Sequence, residues 1–280
     1  MRKENCIIRL LYNTSPGRLL LKALINPSVS NAARIFLSSV MSKPLIDYYI
    51  KKHKIDMSEY EECKYKSFND FFTRKKKHIS VSHKSSELIS PCDGYLSVYN
   101  IDELALFSIK NSIYDLRTLL KDEKLAERYR GGTCFILRLT PHHFHRYLFV
   151  DNGNIVLKKS IPGVLHCVRP IACCRFPVYI ENQRVCTEIQ TEAFGTVIQM
   201  EIGAILVGRI HNHPVGSFVY RGQEKGFFEF GGSTIILLTQ KDTVSVDKQI
   251  MYNTENNIET EVQIGEKIAE VIKCDANRQN

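Results

Sequence analysis

From residue 7 to about residue 55, apolar side chains recur at the spacing of a helix with one apolar face, as in Leu19, Leu20, Ala23 and Leu24. Ser15-Pro16-Gly17, Asn26-Pro27 and Lys43-Pro44 interrupt that spacing, so the segment predicts several short helices. Beyond the basic run Lys75 to Lys77 the pattern changes to that of strands. Residues 96–101, 134–139, 147–150, 178–180, 197–201, 205–210, 227–230 and 235–238 are rich in β-branched and aromatic residues, bounded by Gly, Pro or Asn. One helix, over about residues 115–129, interrupts them. The C-terminal VQIGEKIAEVI predicts strand, turn and strand, with Gly265 at the turn. The fold class is therefore α+β, with a mainly antiparallel β core and N-terminal helices. We divide the chain into a basic helical segment over residues 1–66 and a β-rich domain over residues 67–280.

Charge sharpens that division. Residues 1–80 hold 16 Lys+Arg against 7 Asp+Glu, net +9, which leaves 22 against 23, net −1, for the other 200. A basic face is usually a solvated cap on a core, but one with apolar neighbours also suits an anionic lipid surface, and both readings hold together. No nucleic-acid-binding motif accompanies the charge. No apolar run approaches the roughly 18 residues of a membrane span, and the first residues lack the apolar core and cleavage site of a secretory signal. Nine cysteines with no C-x-x-C pair suggest neither a disulfide framework nor a thiolate zinc site, and fit a reducing compartment. At 44% hydrophobic and 24% charged, the chain is no disordered one.

Three places carry candidate chemistry. Gly231-Gly232-Ser233-Thr234 lies between two apolar strands and sets a hydroxyl on backbone without side chains; the same residues would also make a plain hairpin turn. Ser90-Pro91-Cys92-Asp93-Gly94 puts an aspartate at a turn. His142-His143-Phe144-His145 is rarer, and alternation would set His143 and His145 on one strand face. Asp93, His145 and Ser233 together supply an orienter, a base and a nucleophile. The G-x-S-x-G elbow of common serine hydrolases is absent, since Thr234 and Ile235 follow Ser233.

SFNDFFTR (67–74), SPCDG (90–94), HHFHRY (142–147), IPGVLHCV (161–168), ENQRV (181–185), EIGAILVGRI (201–210) and RGQEKGFFEFGGST (221–234) resemble the phosphatidylserine decarboxylase family in type, order and spacing. That resemblance implies a carboxy-lyase made as a self-cleaving proenzyme. The scissile bond would be Gly232–Ser233, leaving a β chain of residues 1–232 and an α chain of 48 residues (280 − 232 = 48). Its first residue, from Ser233, would become a covalent pyruvoyl cofactor. In this scheme Asp93 orients His145, which takes the Ser233 proton, and no metal is needed. The substrate would be phosphatidylserine in a membrane, converted to phosphatidylethanolamine and carbon dioxide by an enzyme bound peripherally at the cytoplasmic face of the cell membrane. A homodimer stays open.

Two positions depart from the family pattern. Many members carry a second histidine three residues after the one matched by His145, where this chain has Leu148. Either His145 does both jobs or His143 is a secondary base. Cys92 stands where a small residue is usual and is expected to be a packed side chain. Two other classes compete: a zinc hydrolase using the pairs His143/His145 and His211/His213, and a non-catalytic lipid-binding paralogue. HExxH and carboxylates at ligand spacing are missing for the first. His166 and His211 are expected to be ordinary surface or satisfied core residues.

Overall fold

The computed structural model describes residues 6–109, 112–168, 170–173, 176–204, 209–231 and 233–272. Four helices, Cys6–Asn13, Ser15–Leu24, Pro27–Leu37 and Pro44–His53, fill the N-terminal segment and break where the sequence predicts. Asn26 caps the third: its side chain accepts the Ser28 N–H at 2.9 Å, and Pro27 occupies the first helical position, where no donor is lost. Leu11, Tyr12 and Leu21 enter the main core. The Tyr12 hydroxyl accepts the Cys167 N–H at 2.9 Å, which ties these helices to the β domain.

An eight-stranded antiparallel sheet dominates. Its order is Phe218–Val219, Gly153–Ile161, Arg184–Thr191, Thr196–Gly203, Ser233–Thr239, Thr133–Leu139, Gly94–Asn100 and Thr260–Val262. STIILLT has no polar alternation, as suits a strand covered on both faces, and every residue of Ser233–Thr239 is buried between two neighbours. Smaller sheets join Glu87–Ile89, Lys267–Val271 and Val244–Val246, and Ile210–Asn212, Glu224–Phe228 and Arg146–Leu148.

Several predicted elements differ. Residues 178–180, expected as a strand, begin the helical turn Val178–Glu181, because Pro177 at its N-terminal boundary presets a turn. The helix over 115–129 is two, Leu116–Leu120 and Glu123–Glu127. Lys121 turns left-handed at φ 51°, and the Asp122 side chain accepts the Leu125 N–H to start the second. Residues 205–208 lie outside the described residues, and the strand expected there is described only as Ile210–Asn212. The C-terminal strands flank Gly265 as expected but join different sheets.

Candidate active site

Ser233 opens the central strand, paired with Leu139 on one side and Gly203 on the other. Its hydroxyl is buried without a hydrogen-bond partner among the described residues. A buried polar group left unpaired costs about 1–3 kcal/mol, and the Thr234 and Thr239 hydroxyls of the same strand share that state, so Ser233 is distinguished by its place at the strand head just after the glycines. Gly231, two residues earlier, has φ +145°, a conformation open to glycine and strained for other residues. Gly232 lies outside the described residues. Because Leu139 ends its strand opposite Ser233, the histidine segment starts beside the serine.

That segment is a turn rather than a strand. The His143 N–H closes it on the Thr140 carbonyl at 2.9 Å, so strand alternation does not set the two rings. Their tautomers are opposite. His145 Nδ1 lies 2.9 Å from the His143 carbonyl, which only accepts, so Nδ1 carries the proton and Nε2 a lone pair. Nε2 is buried with no hydrogen-bond partner among the described residues, the Ser233 hydroxyl included, and Phe72 packs 4.0 Å from the ring. His143 Nδ1 instead accepts the Thr140 N–H at 3.0 Å. Its proton therefore sits on Nε2, 3.6 Å from Glu261 Oε1. Of the two rings, His145 is the one presenting a bare nitrogen.

Burial holds both rings neutral. It pushes His145 well below the usual histidine value, helped by the Arg74 charge, and His143 down to about 3, helped by His142. Below about pH 6.5 the unfolded chain therefore binds protons that the folded chain refuses, so stability falls as pH falls. Each histidine contributes a slope of about 1.4 kcal/mol per pH unit until its folded-state value is reached. Unfolding midpoints between pH 7 and 5 are expected to drop less steeply in a His143→Gln/His145→Gln chain; equal slopes would mean that neither ring is held neutral.

The expected contact between Asp93 and the His145 ring is not made. Asp93 pairs with Lys76 Nζ at 3.0 Å and accepts the N–H groups of Phe144, at 3.3 Å, and Ile264, at 2.8 Å. It thus holds the backbone between His143 and His145, while a carbonyl orients the ring. The helix Phe68–Phe72 supports the same centre from outside, with Phe72 on His145 and Asn69 Oδ1 accepting the Phe230 N–H at 3.1 Å. Leu148 packs with Tyr60, Phe144 and Ile264. Cys92 is buried, with its thiol pushed well above the ordinary range, as a packed side chain should be.

Among the described residues, neither pair named by the zinc alternative belongs to a convergent donor set of three or more groups. His211 and His213 pair separately with Glu229, at 2.8 Å, and Glu224, at 2.6 Å. Among the described residues, His142, His143 and Glu261 could converge on an ion, but the His143 nitrogen facing Glu261 carries the proton fixed by Thr140. His166 is a satisfied core residue, 3.1 Å from Glu181 and stacked on Phe176. Beside the site opens a cleft of about 1180 Å³, lined in part by Tyr60, Lys76, Asp93, His143 and Glu261. Lys76, Tyr60 and Glu261 were not singled out from the sequence. Only Lys76 left a trace there, as part of the basic run, because its aspartate lies 17 residues away.

Residues 68–270 match the family profile of phosphatidylserine decarboxylase. Phosphatidylserine decarboxylase proenzyme 2 of Clostridium acetobutylicum is 47% identical over 270 residues, covering 95% of this chain and 92% of that protein. A proenzyme of the same name from Ruminiclostridium cellulolyticum is 40% identical over 274 residues, covering 95% and 91%. One from Fusobacterium nucleatum is 37% identical over 268 residues, covering 93% and 89%. This chain belongs to the phosphatidylserine decarboxylase family. It is a carboxy-lyase by that membership, and the identity extends into the N-terminal helices, which the family profile does not reach.

Proposed function

We propose that this chain cuts itself at Gly232–Ser233 and then decarboxylates phosphatidylserine to phosphatidylethanolamine. The observation that carries the proposal is the Ser233 hydroxyl, buried at the head of the central strand with no partner among the described residues, two residues after a glycine at φ +145°. Ser233 Oγ attacks the Gly232 carbonyl and passes its proton to a base. His145 Nε2 is the buried lone pair available for that proton, and the His143 carbonyl keeps the ring in the accepting tautomer. The amide C–N bond breaks as the ester C–O bond forms. Elimination then releases the Gly232 carboxylate, and hydrolysis releases ammonia, leaving a pyruvoyl group at the new terminus.

The residues fit that group, since a buried hydroxyl with no partner among the described residues is where a small ketone replaces it without stranding a donor. The pyruvoyl group supplies the electron sink for loss of carbon dioxide. The chain's own part is to exclude water, through Phe72 and Phe230, which pack 5.2 Å apart, and to hold a proton acceptor at His145. Denaturing mass spectrometry tests the proposal: a fragment ending at Gly232 should accompany one with a blocked terminus, in protein that releases carbon dioxide from phosphatidylserine. An intact, inactive chain would leave the lipid-binding paralogue in its place.

The lipid must be met at a membrane, and no described helix is long and apolar enough to cross one. Among the N-terminal helices Leu19 and Met41 are 73% and 78% exposed, with Leu20, Ile35, Phe36 and Val40 also exposed, beside Arg18, Lys22, Arg34 and Lys43. Apolar residues left in water amid cations suit peripheral binding to an anionic leaflet, which we place at the cytoplasmic face. Each cation near such a surface contributes on the order of 1 kcal/mol, screened by salt. Arg18→Glu/Lys22→Glu/Arg34→Glu should therefore cut co-sedimentation with phosphatidylserine vesicles by about 10²-fold at low salt and less at high salt. Equal binding to neutral and anionic vesicles would make the helices a solvated cap only.

A further inference from the structure

The buried and half-buried arginines nearly all have partners. Arg184 donates to the carbonyls of Leu119, Ile180, Asn182 and Thr118, Arg138 pairs with Glu259, and Arg146 with Glu224. Arg74 differs. It is 2% exposed, yet its Nε and Nη1 have no hydrogen-bond partner among the described residues, and Nη2 reaches only the Tyr60 hydroxyl at 3.3 Å. The rings of Tyr60, at 4.3 Å, and Phe71, at 5.0 Å, flank the guanidinium. Cation–π contacts recover part of the lost hydration, but an aromatic face accepts no directed N–H bonds. A buried cation without a counter-charge is costly and gains most from an incoming anion.

Its position says which anion. Arg74 follows the helix Phe68–Phe72, whose last ring rests on His145. Tyr60, over its other side, lines the cleft together with Lys76, Asp93 and His143. The guanidinium thus touches a wall of the cleft through the Tyr60 ring and lies near enough to His145 for its charge to act on that ring. We propose that Arg74 holds the phosphodiester of the lipid substrate, entering from the cleft as the Tyr60 ring turns aside. This rests on the decarboxylase reading. A carboxylate held there would be stabilised as the anion, against its own loss as carbon dioxide. The phosphodiester keeps its charge throughout, so binding it favours ground and transition states alike and appears in KM rather than kcat. It is also only one serine side chain from the reacting amine.

Isothermal titration of Arg74→Met and Arg74→Lys against the natural sequence tests this with two soluble probes. Glycerophosphoethanolamine offers phosphodiester and amine without carboxylate; L-serine offers carboxylate and amine without phosphate. Arg74→Met should weaken the first by on the order of 10- to 100-fold, the range of hydrogen bonds to a charged group. Arg74→Lys should fall between, and L-serine should bind all three alike. KM for phosphatidylserine should rise by the same factor, with kcat changed far less. Arg74→Met should melt no lower than the natural chain, since it removes an unpaired charge. Unchanged glycerophosphoethanolamine affinity and KM, with a lower melting temperature, would overturn the proposal and leave Arg74 a packing residue. A loss confined to L-serine would overturn it in favour of the carboxylate. Titration needs no turnover, so phosphodiester binding lost in Arg74→Met, in proteins that release no carbon dioxide, would sink the decarboxylase reading and leave the seat standing. If Arg74→Met does not fold, Arg74→Lys carries the comparison.

Discussion

Ser233→Ala is expected to leave one chain of 32.2 kDa where the natural sequence gives two fragments, with decarboxylation lost completely. Alanine fits the strand, being smaller than serine and buried among the same neighbours, and it removes an orphaned hydroxyl, so the variant should fold at least as well. The loss is therefore chemical. Ser233 is the only hydroxyl-bearing residue that adjoins Gly232 in the sequence. Electrophoresis under denaturing conditions, with intact mass, reads the result directly. A variant that still splits at the same bond would falsify Ser233 as the nucleophile.

The second large effect separates three residues that the sequence groups together. His145→Ala should slow maturation by about 10²- to 10⁴-fold, the range of general-base catalysis. His143→Ala should slow it far less, because the His143 carbonyl that orients His145 survives the substitution while only the ring is lost. Asp93→Asn should fall between. Its amide can accept one of the N–H bonds from Phe144 and Ile264 but must turn a donor toward the other, and Lys76 loses its counter-charge. Cleavage time courses of the three freshly purified variants measure this order. Normal maturation of His145→Ala with failure of His143→Ala would move the base to the other ring.

These orders could not have been read from the chain alone. The serine at the head of the central strand, the glycines before it and the histidine cluster were legible because they are local: Gly231 precedes Ser233 by two residues, and the central strand announces itself as STIILLT. Helix ends at Asn26-Pro27 and Lys43-Pro44 were legible for the same reason, since caps and prolines act within one turn. What misled was distance. Nothing near Asp93 shows that Lys76, Phe144 and Ile264 converge on it, or that a carbonyl would replace it beside His145. The strands Gly153–Ile161 and Arg184–Thr191 escaped because charge hid their pattern. Lys158 and Lys159 interrupt the first, though its outward and inward positions do alternate, and Arg184 and Glu188 of the second are buried with partners far away.

Opening the chain before Ser233 would cut a backbone without freeing a piece. The segment after the cut is woven through two sheets: Ser233–Thr239 sits between two neighbours in the large one, Thr260–Val262 borders the strand Gly94–Asn100, and Lys267–Val271 lies beside Glu87–Ile89. Withdrawing it would break the ladders on both flanks of a fully buried strand at once, so the nicked protein should melt as a single cooperative body. Two populations of mature enzyme, one isotopically labelled, should therefore keep their own fragments indefinitely when mixed under native conditions. Each molecule would carry for life the terminus it made for itself, and a damaged one could not be repaired by exchange.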